Sequence, residues 1–325
     1  MSELMTHVKQ FYECRKIQLL MLLEEHNLPV ELLFYNAYES TQLFNDHMFV
    51  QNENRWTFEG SSATREDIGL FNIRLEEIRI TSAEELDTLL PERLKSGQFV
   101  YIWVNLDYMP HWIFGKDYLE TGSLHSVFLK GVRTDGDKTL YLLEDNYPEF
   151  CDYVDSSVIN NAIATGDRVW THLVTIVHLE GWHAQRLPVE LGSRFHNWHA
   201  ALTDDFRLYD HIEQLIELEP EDPKTFYEKL EHTLSLITGS RYLFSRFLKF
   251  AGGPAELTTR LDECSQLAER MKNAFAKAVF TGKVNRSKML PLCRELKQID
   301  MECFQLLRNN DFAPDFSSST ITPAV

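Results

Sequence analysis

The sequence predicts an α+β fold: helices first, a mostly antiparallel sheet next, and a helical domain last. Three observations carry this. Cys14-Arg-Lys-Ile-Gln-Leu-Leu-Met-Leu-Leu belongs to an apolar run too long for a strand and suited to a buried helix. Between residues 99 and 179 lie four runs rich in β-branched and aromatic residues, two of them flanking an Asp-Gly dipeptide. Beyond Leu187-Pro188 such runs stop, and apolar residues recur three and four apart.

The first helix is expected from Phe11 to about His26, where Asn27-Leu-Pro29 ends it. Pro29-Val-Glu-Leu-Leu-Phe-Tyr starts a second, short helix with proline in its first turn. Residues 44–65 mix polar side chains with Trp56 and Phe58 and read as a long loop or short hairpin. Ala83 to Lys95 has helical spacing, a Thr81-Ser82 cap and a Gly97 stop. The strands are Phe99–Val104, Val127–Val132, Thr139–Leu143 and Trp170–Leu179. Asp135-Gly136 between the second and third supplies the positive φ of a tight hairpin.

From Val189 to Asn310 the pattern is helical, punctuated by Pro220, Pro223, Gly252-Gly253-Pro254 and Gly282. Thr258–Phe275 and Leu290–Leu307 are amphipathic. The organisation expected is a domain over 1–187, a helical domain over 188–312 and a disordered tail over 313–325. A chain of 325 residues exceeds what one core usually organises.

The net charge of −17 argues against nucleic acid and against an anionic membrane surface, since both attract clustered Lys and Arg. No run has the apolar length of a membrane span, and the N-terminus lacks a secretion pattern. Five cysteines without CxxC spacing suggest neither a disulfide framework nor a zinc cluster. A reduced, cytoplasmic protein is the expectation.

Chemistry concentrates in three positions. Cys14 opens the apolar helix, where the helix dipole favours a thiolate. His125 opens one strand of the hairpin and Asp145 closes the other. Antiparallel pairing about a turn at 134–137 brings 125 opposite roughly 146, beside Asp145, with Glu144 and Asn146 as alternatives. This is the order of a papain-type Cys–His–Asp site: nucleophile, base, and the group that orients the base. The backbone N–H of Cys14 and the side chain of Gln10 are candidate oxyanion donors, and Asn105 and Tyr108 further polar candidates.

These residues resemble the N-terminal domain of the butirosin biosynthesis protein H family. The resemblance rests on Cys14 with its Leu-rich helix, Leu28-Pro-Val-Glu-Leu-Leu-Phe, Val104-Asn-Leu-Asp-Tyr-Met-Pro110, His125-Ser-Val-Phe-Leu-Lys-Gly-Val and Leu140-Tyr-Leu-Leu-Glu-Asp145, spanning residues 10–180. It implies a papain-like fold and an acyltransferase of secondary metabolism. In that chemistry an acyl group leaves the phosphopantetheine thioester of an acyl or peptidyl carrier protein, rests on Cys14 and passes to a small-molecule amine. Two positions depart from the family pattern: Glu13 precedes Cys14 where histidine is usual, and Asn105 stands where aspartate is common.

The same triad would serve a cysteine amidase, peptidase or peptide cyclase, and a silent binding module is the non-enzymatic reading. Arg241, Arg246 and Lys249 share one amphipathic stretch and form a candidate carrier-docking face. A homodimer is compatible with the sequence. A metal site would draw on His178, His183, His196 and His199; the His196-Asn-Trp-His199 pair is at helical spacing but has no acidic ligand close by, and no metal or bound cofactor is expected.

Overall fold

The computed structural model describes residues 3–112, 123–146, 149–164, 172–179, 187–218, 220–310, 312 and 314. The expected tail over 313–325, apart from Pro314, and His183, Trp170 and Thr171 lie outside the described residues.

In chain order the elements are α1 (Glu3–Phe11), α2 (Cys14–Glu25), a 3-10 turn at Val30–Phe34, α3 (Thr41–Asn45), α4 (Arg65–Gly69), β1 (Ile73–Arg79), α5 (Ala83–Lys95) and β2 (Phe99–Asn105). Then follow β3 (Leu124–Asp135), β4 (Lys138–Asn146), β5 (Glu149–Asp155), α6 (Ser156–Ala164), β6 (Leu173–Leu179), α7 (Leu187–Ala201), α8 (Arg207–Glu217), α9 (Pro223–Phe250), α10 (Ala255–Thr281) and α11 (Arg286–Arg308). The protein is α+β, with N-terminal helices, an antiparallel sheet and C-terminal helices.

Two compact units divide these elements. One holds Cys14–Leu22 and Ile68–His183, the other Met1–Glu13, Leu23–Asp67 and Ala184–Val325.

The first unit is built on the sheet, whose described strands run in the order β1-β6-β2-β3-β4-β5, every pair antiparallel. Alternation puts Val100, Ile102 and Val104 of β2 on one face with Val127 and Leu129 of β3, buried beneath α5 and α6 through Leu86, Leu90, Ile159 and Ile163. Tyr101, Trp103, Ser126 and Phe128 take the opposite face. There α2 is tied down: the Arg15 guanidinium lies 5.1 Å from the Trp103 ring centre, and Gln18 bonds Ser126. The β3–β4 hairpin turns at Gly136, whose φ of +58° suits glycine. Ser82 caps α5 by accepting from the Glu85 N–H, and Gly97 (φ +78°) follows its end.

Two strands, β1 and β5, go beyond those expected from sequence. They form the sheet's two edges, and they carry Arg74, Glu76, Glu77 and Arg79, or Glu149, Asp152 and Asp155. Edge strands face water and are blunted by charge, which removes the apolar run that marks an interior strand. The expected Phe11–His26 helix is interrupted at Tyr12-Glu13, where the buried Tyr12 hydroxyl is anchored 2.6 Å from Ser62 Oγ. Residues 44–65 contain short helical turns at Asp46–Val50 and Arg55–Thr57, and no strand.

The second unit is helical and centred on α9, which is buried on every side from Thr233 to Ser245. Gly239 lets α1 approach: a β-carbon there would lie 2.5 Å from Phe11 Cβ. At the centre Arg241 donates to both oxygens of Asp300, 2.7 Å each, and to the Glu39 carbonyl at 2.7 Å. The hydroxyls of Tyr38 and Tyr209 donate to the same carboxylate at 3.0 and 2.7 Å. Arg241 and Asp300 are fully buried, so each charge depends on the other. Asp300→Asn should therefore lower stability by about 3–5 kcal/mol, read as a reduced urea midpoint of unfolding.

Candidate active site

Cys14, His125 and Asp145 all belong to the sheet-bearing unit, and the structure brings them together. Each arrives by a different element: Cys14 as the first residue of α2, His125 near the start of β3, and Asp145 near the end of β4. The hairpin sets the last two. Phe128 pairs with Glu144, so continuing the register puts Asp145 opposite Val127 and diagonal to His125 on the same side of the ladder. The His125 Nε2 lies 2.8 Å from Asp145 Oδ1. The Cys14 thiol also lies beside His125, where it favours the protonated ring. With Nε2 committed to Asp145, Nδ1 is the ring nitrogen left for sulfur.

The helix is held in register with the strand by Gln18, one turn after Cys14. Its Nε2 donates to the Ser126 carbonyl at 2.5 Å, and its Oε1 accepts from the Ser126 hydroxyl at 2.9 Å. Both side chains are buried. Gln18 lies one helical turn after Cys14, so its contact with Ser126 anchors α2 against the strand that carries His125.

Asp145 is the most enclosed member, its side chain having no exposure. Among the described residues three side-chain donors compensate its charge: His125 on Oδ1, and on Oδ2 the His111 Nε2 at 2.8 Å and the Trp112 Nε1–H at 3.1 Å. Burial pushes the Asp145 carboxyl upward, but the hydrogen bonds from His111 and His125 outweigh it and hold it well below the usual carboxylate range. Burial likewise disfavours the His125 imidazolium. Interactions with Asp145 and Cys14 prevail and raise His125 to about 10. At neutral pH this imidazole is therefore an imidazolium paired with a carboxylate, beside a thiol that opens a helix. The array can attack a carbonyl with sulfur and protonate a leaving group.

Of the other predicted residues, Asn105, Tyr108 and Asn146 belong to the same unit as the three. Asn105 is buried at the end of β2 and caps the turn Leu106–Tyr108 by accepting from the Asp107 N–H at 3.0 Å. Tyr108 in that turn is 41% exposed. Asn146 is buried at the end of β4, and Glu144, the alternative partner for His125, is ion-paired with Lys130. Gln10 belongs to the helical unit, where its Nε2 lies 3.4 Å from Glu269.

The docking face loses a member. Arg241 is fully buried and spent on Asp300, so it presents no charge to a partner; α9 is enclosed on all sides there, against the amphipathic reading. Arg246 and Lys249 are partly exposed and paired with Glu31 and Asp262. Of the histidines, His178 on β6 bonds Glu76 at 2.7 Å, while His196 and His199 lie on α7, His199 meeting the Leu307 carbonyl. Among the described residues no three His, Cys, Asp or Glu form a group able to hold a metal.

His111, Trp112 and Gln18 were not singled out from the sequence. The signal for the first two is a His-Trp pair, both N–H donors, just beyond the Asp-Tyr-Met-Pro110 stretch that ends the apolar strand. For Gln18 it is an amide four residues after the cysteine inside an otherwise apolar run.

No protein-family model matches the chain. Among curated proteins it is similar to the ribostamycin:4-(γ-L-glutamylamino)-(S)-2-hydroxybutanoyl-[BtrI acyl-carrier protein] 4-(γ-L-glutamylamino)-(S)-2-hydroxybutanoate transferase of Niallia circulans, with 23% identity over 302 residues. The alignment covers 93% of this chain and 97% of that protein. The chain is thus a distant homologue, over nearly its full length, of that ribostamycin acyltransferase.

Proposed function

We propose that this protein is a cysteine-dependent acyltransferase of secondary-metabolite biosynthesis. It takes an acyl group from the phosphopantetheine thioester of a carrier protein and delivers it to a small-molecule amine. One observation carries the reading: a thiol at a helix start beside an imidazole that is itself bonded to a buried carboxylate. The full-length similarity to a transferase whose donor sits on an acyl-carrier protein and whose acceptor is ribostamycin supports acyl transfer over hydrolysis. A papain-like arrangement of the sheet-bearing unit is part of the same proposal.

The steps follow from the residues. The Cys14 thiolate attacks the thioester carbonyl, and the tetrahedral oxyanion is met by N–H donors at the start of α2. Collapse breaks the donor C–S bond, and the His125 imidazolium gives its Nδ1 proton to the departing pantetheine thiolate. The acceptor amine then attacks the new thioester on Cys14. His125 takes the amine proton, the C–S bond to Cys14 breaks, and an amide leaves with Cys14 and His125 back in their starting charge states. Asp145 remains ionised throughout and orients the ring.

Intact-mass measurement of the full chain after incubation with an acyl-pantetheine thioester should give one acyl adduct, absent from Cys14→Ala. Transfer to an added amine that persists in Cys14→Ala would sink the covalent route.

The pH dependence has a definite sign. His125 binds its proton more tightly folded (about 10) than unfolded (about 6.5), so its contribution to stability is full below pH about 6.5 and is lost as pH rises through about 10. Activity should fall over the same alkaline limb as the imidazolium disappears. Asp145→Asn should move that limb to lower pH and reduce kcat/KM by roughly 10²–10⁴-fold. An unmoved limb in a pH–rate profile would exclude Asp145 as the orienting group.

A further inference from the structure

The carboxylate that orients His125 serves a second imidazole. His111 reaches Asp145 Oδ2 at 2.8 Å, the distance His125 keeps to Oδ1. An ionised carboxylate only accepts, so both Nε2 atoms carry hydrogens. Among the described residues His111 Nδ1 has no hydrogen-bond partner, which leaves the bond to Asp145 as the ring's polar contact. The ring is also fixed face-on. Phe150, paired with Asp145 across β4 and β5, stacks on His111 with centroids 4.3 Å apart and planes at 14°. The His111 side chain is 5% exposed and Asp145 is fully enclosed, so water scarcely competes for these bonds.

From this geometry we infer that His111 is a positioning residue of the site, one that acts on His125 through the carboxylate the two rings share. The inference deepens the acyl-transfer reading of the same site and rests on it. A carboxylate held at Oδ1 alone can rotate about its Cβ–Cγ bond. His111 and Trp112, bonded to Oδ2 from consecutive residues, stop that rotation and aim Oδ1 at His125. Trp112 adds a second contact, its ring standing 5.4 Å from that of His125 in an edge-on arrangement. Among the described residues, the titratable groups facing this pair of rings are Cys14 on α2 and Asp145 on β4. Removing His111 thus acts on His125 through Asp145, with both direct partners of His125 still present.

The test is the titration of His125, followed by NMR of ring-labelled histidine in the full chain, with the rate at which iodoacetamide alkylates Cys14 at pH 7 measured alongside. His111→Phe keeps the stack on Phe150 and removes the donor. It should lower the His125 midpoint by about one unit, a tenfold loss of proton affinity, and slow alkylation. His111→Gln, which can return an N–H to Oδ2, should restore both. If the phenylalanine variant does not fold, His111→Asn, too short to reach Oδ2, replaces it with the same expectation. A folded donor-less variant with the native midpoint and native alkylation rate would overturn the inference. None of these readouts needs an acyl donor, so they stand apart from whether the protein transfers acyl groups.

Discussion

Burying a carboxylate is costly unless its lone pairs are met, and Asp145 has no solvent to meet them. The three donors that compensate it come from the segment after β2 and from β3. The hairpin, the end of β2 and the packing of β5 all converge on this one charge. Withdrawing His111 or Trp112 would leave a lone pair of this enclosed carboxylate unmet and make its charge costlier to keep. The protonated state of His125 is therefore set by the fold around Asp145 rather than by a histidine placed at a surface. The elevated proton affinity of His125 is the measurable trace of that dependence.

The proposed nucleophile, Cys14, depends on a different lock. A helix resting on a sheet can slide or turn by apolar packing alone, because burial has no direction. Gln18 removes that freedom by bonding Ser126 at both its backbone and its side chain. Those two bonds set α2 against β3 one turn away from Cys14 and one residue away from His125. The sulfur thus meets the imidazole by consequence of a buried polar contact in an apolar helix, and the amide satisfies itself in making it.

What the sequence disclosed follows from where each residue sits. The four interior strands were legible because each carries an apolar run, and the Asp135-Gly136 turn with its antiparallel arithmetic sets His125 near Asp145. The edges β1 and β5 were not, since strands facing water trade apolar residues for charge. His111 and Trp112 escaped notice because their role is defined by a partner more than thirty residues away (Asp145), which no local periodicity encodes. Gln18 was hidden inside the apolar run that announced the helix. Arg241 misled in the opposite direction: three cations on an amphipathic stretch suggest a solvated face, but α9 is enclosed and its arginine is the counter-ion of Asp300.

The two buried ionic centres make the distinction between structure and chemistry explicit. Around Asp300 the guanidinium cannot lose its proton at any physiological pH, both carboxylate oxygens are bonded twice, and every charged atom is enclosed. Such a pair can only hold helices together. Around Asp145 the counter-ion is an imidazolium, able to give up its proton, and its second nitrogen faces a thiol that is itself partly exposed. A titratable cation in place of a permanent one, next to a thiol that is partly exposed, is what the proposed chemistry requires of the same electrostatic solution. That difference, more than the presence of a cysteine, marks the sheet-bearing unit as the place to look for catalysis.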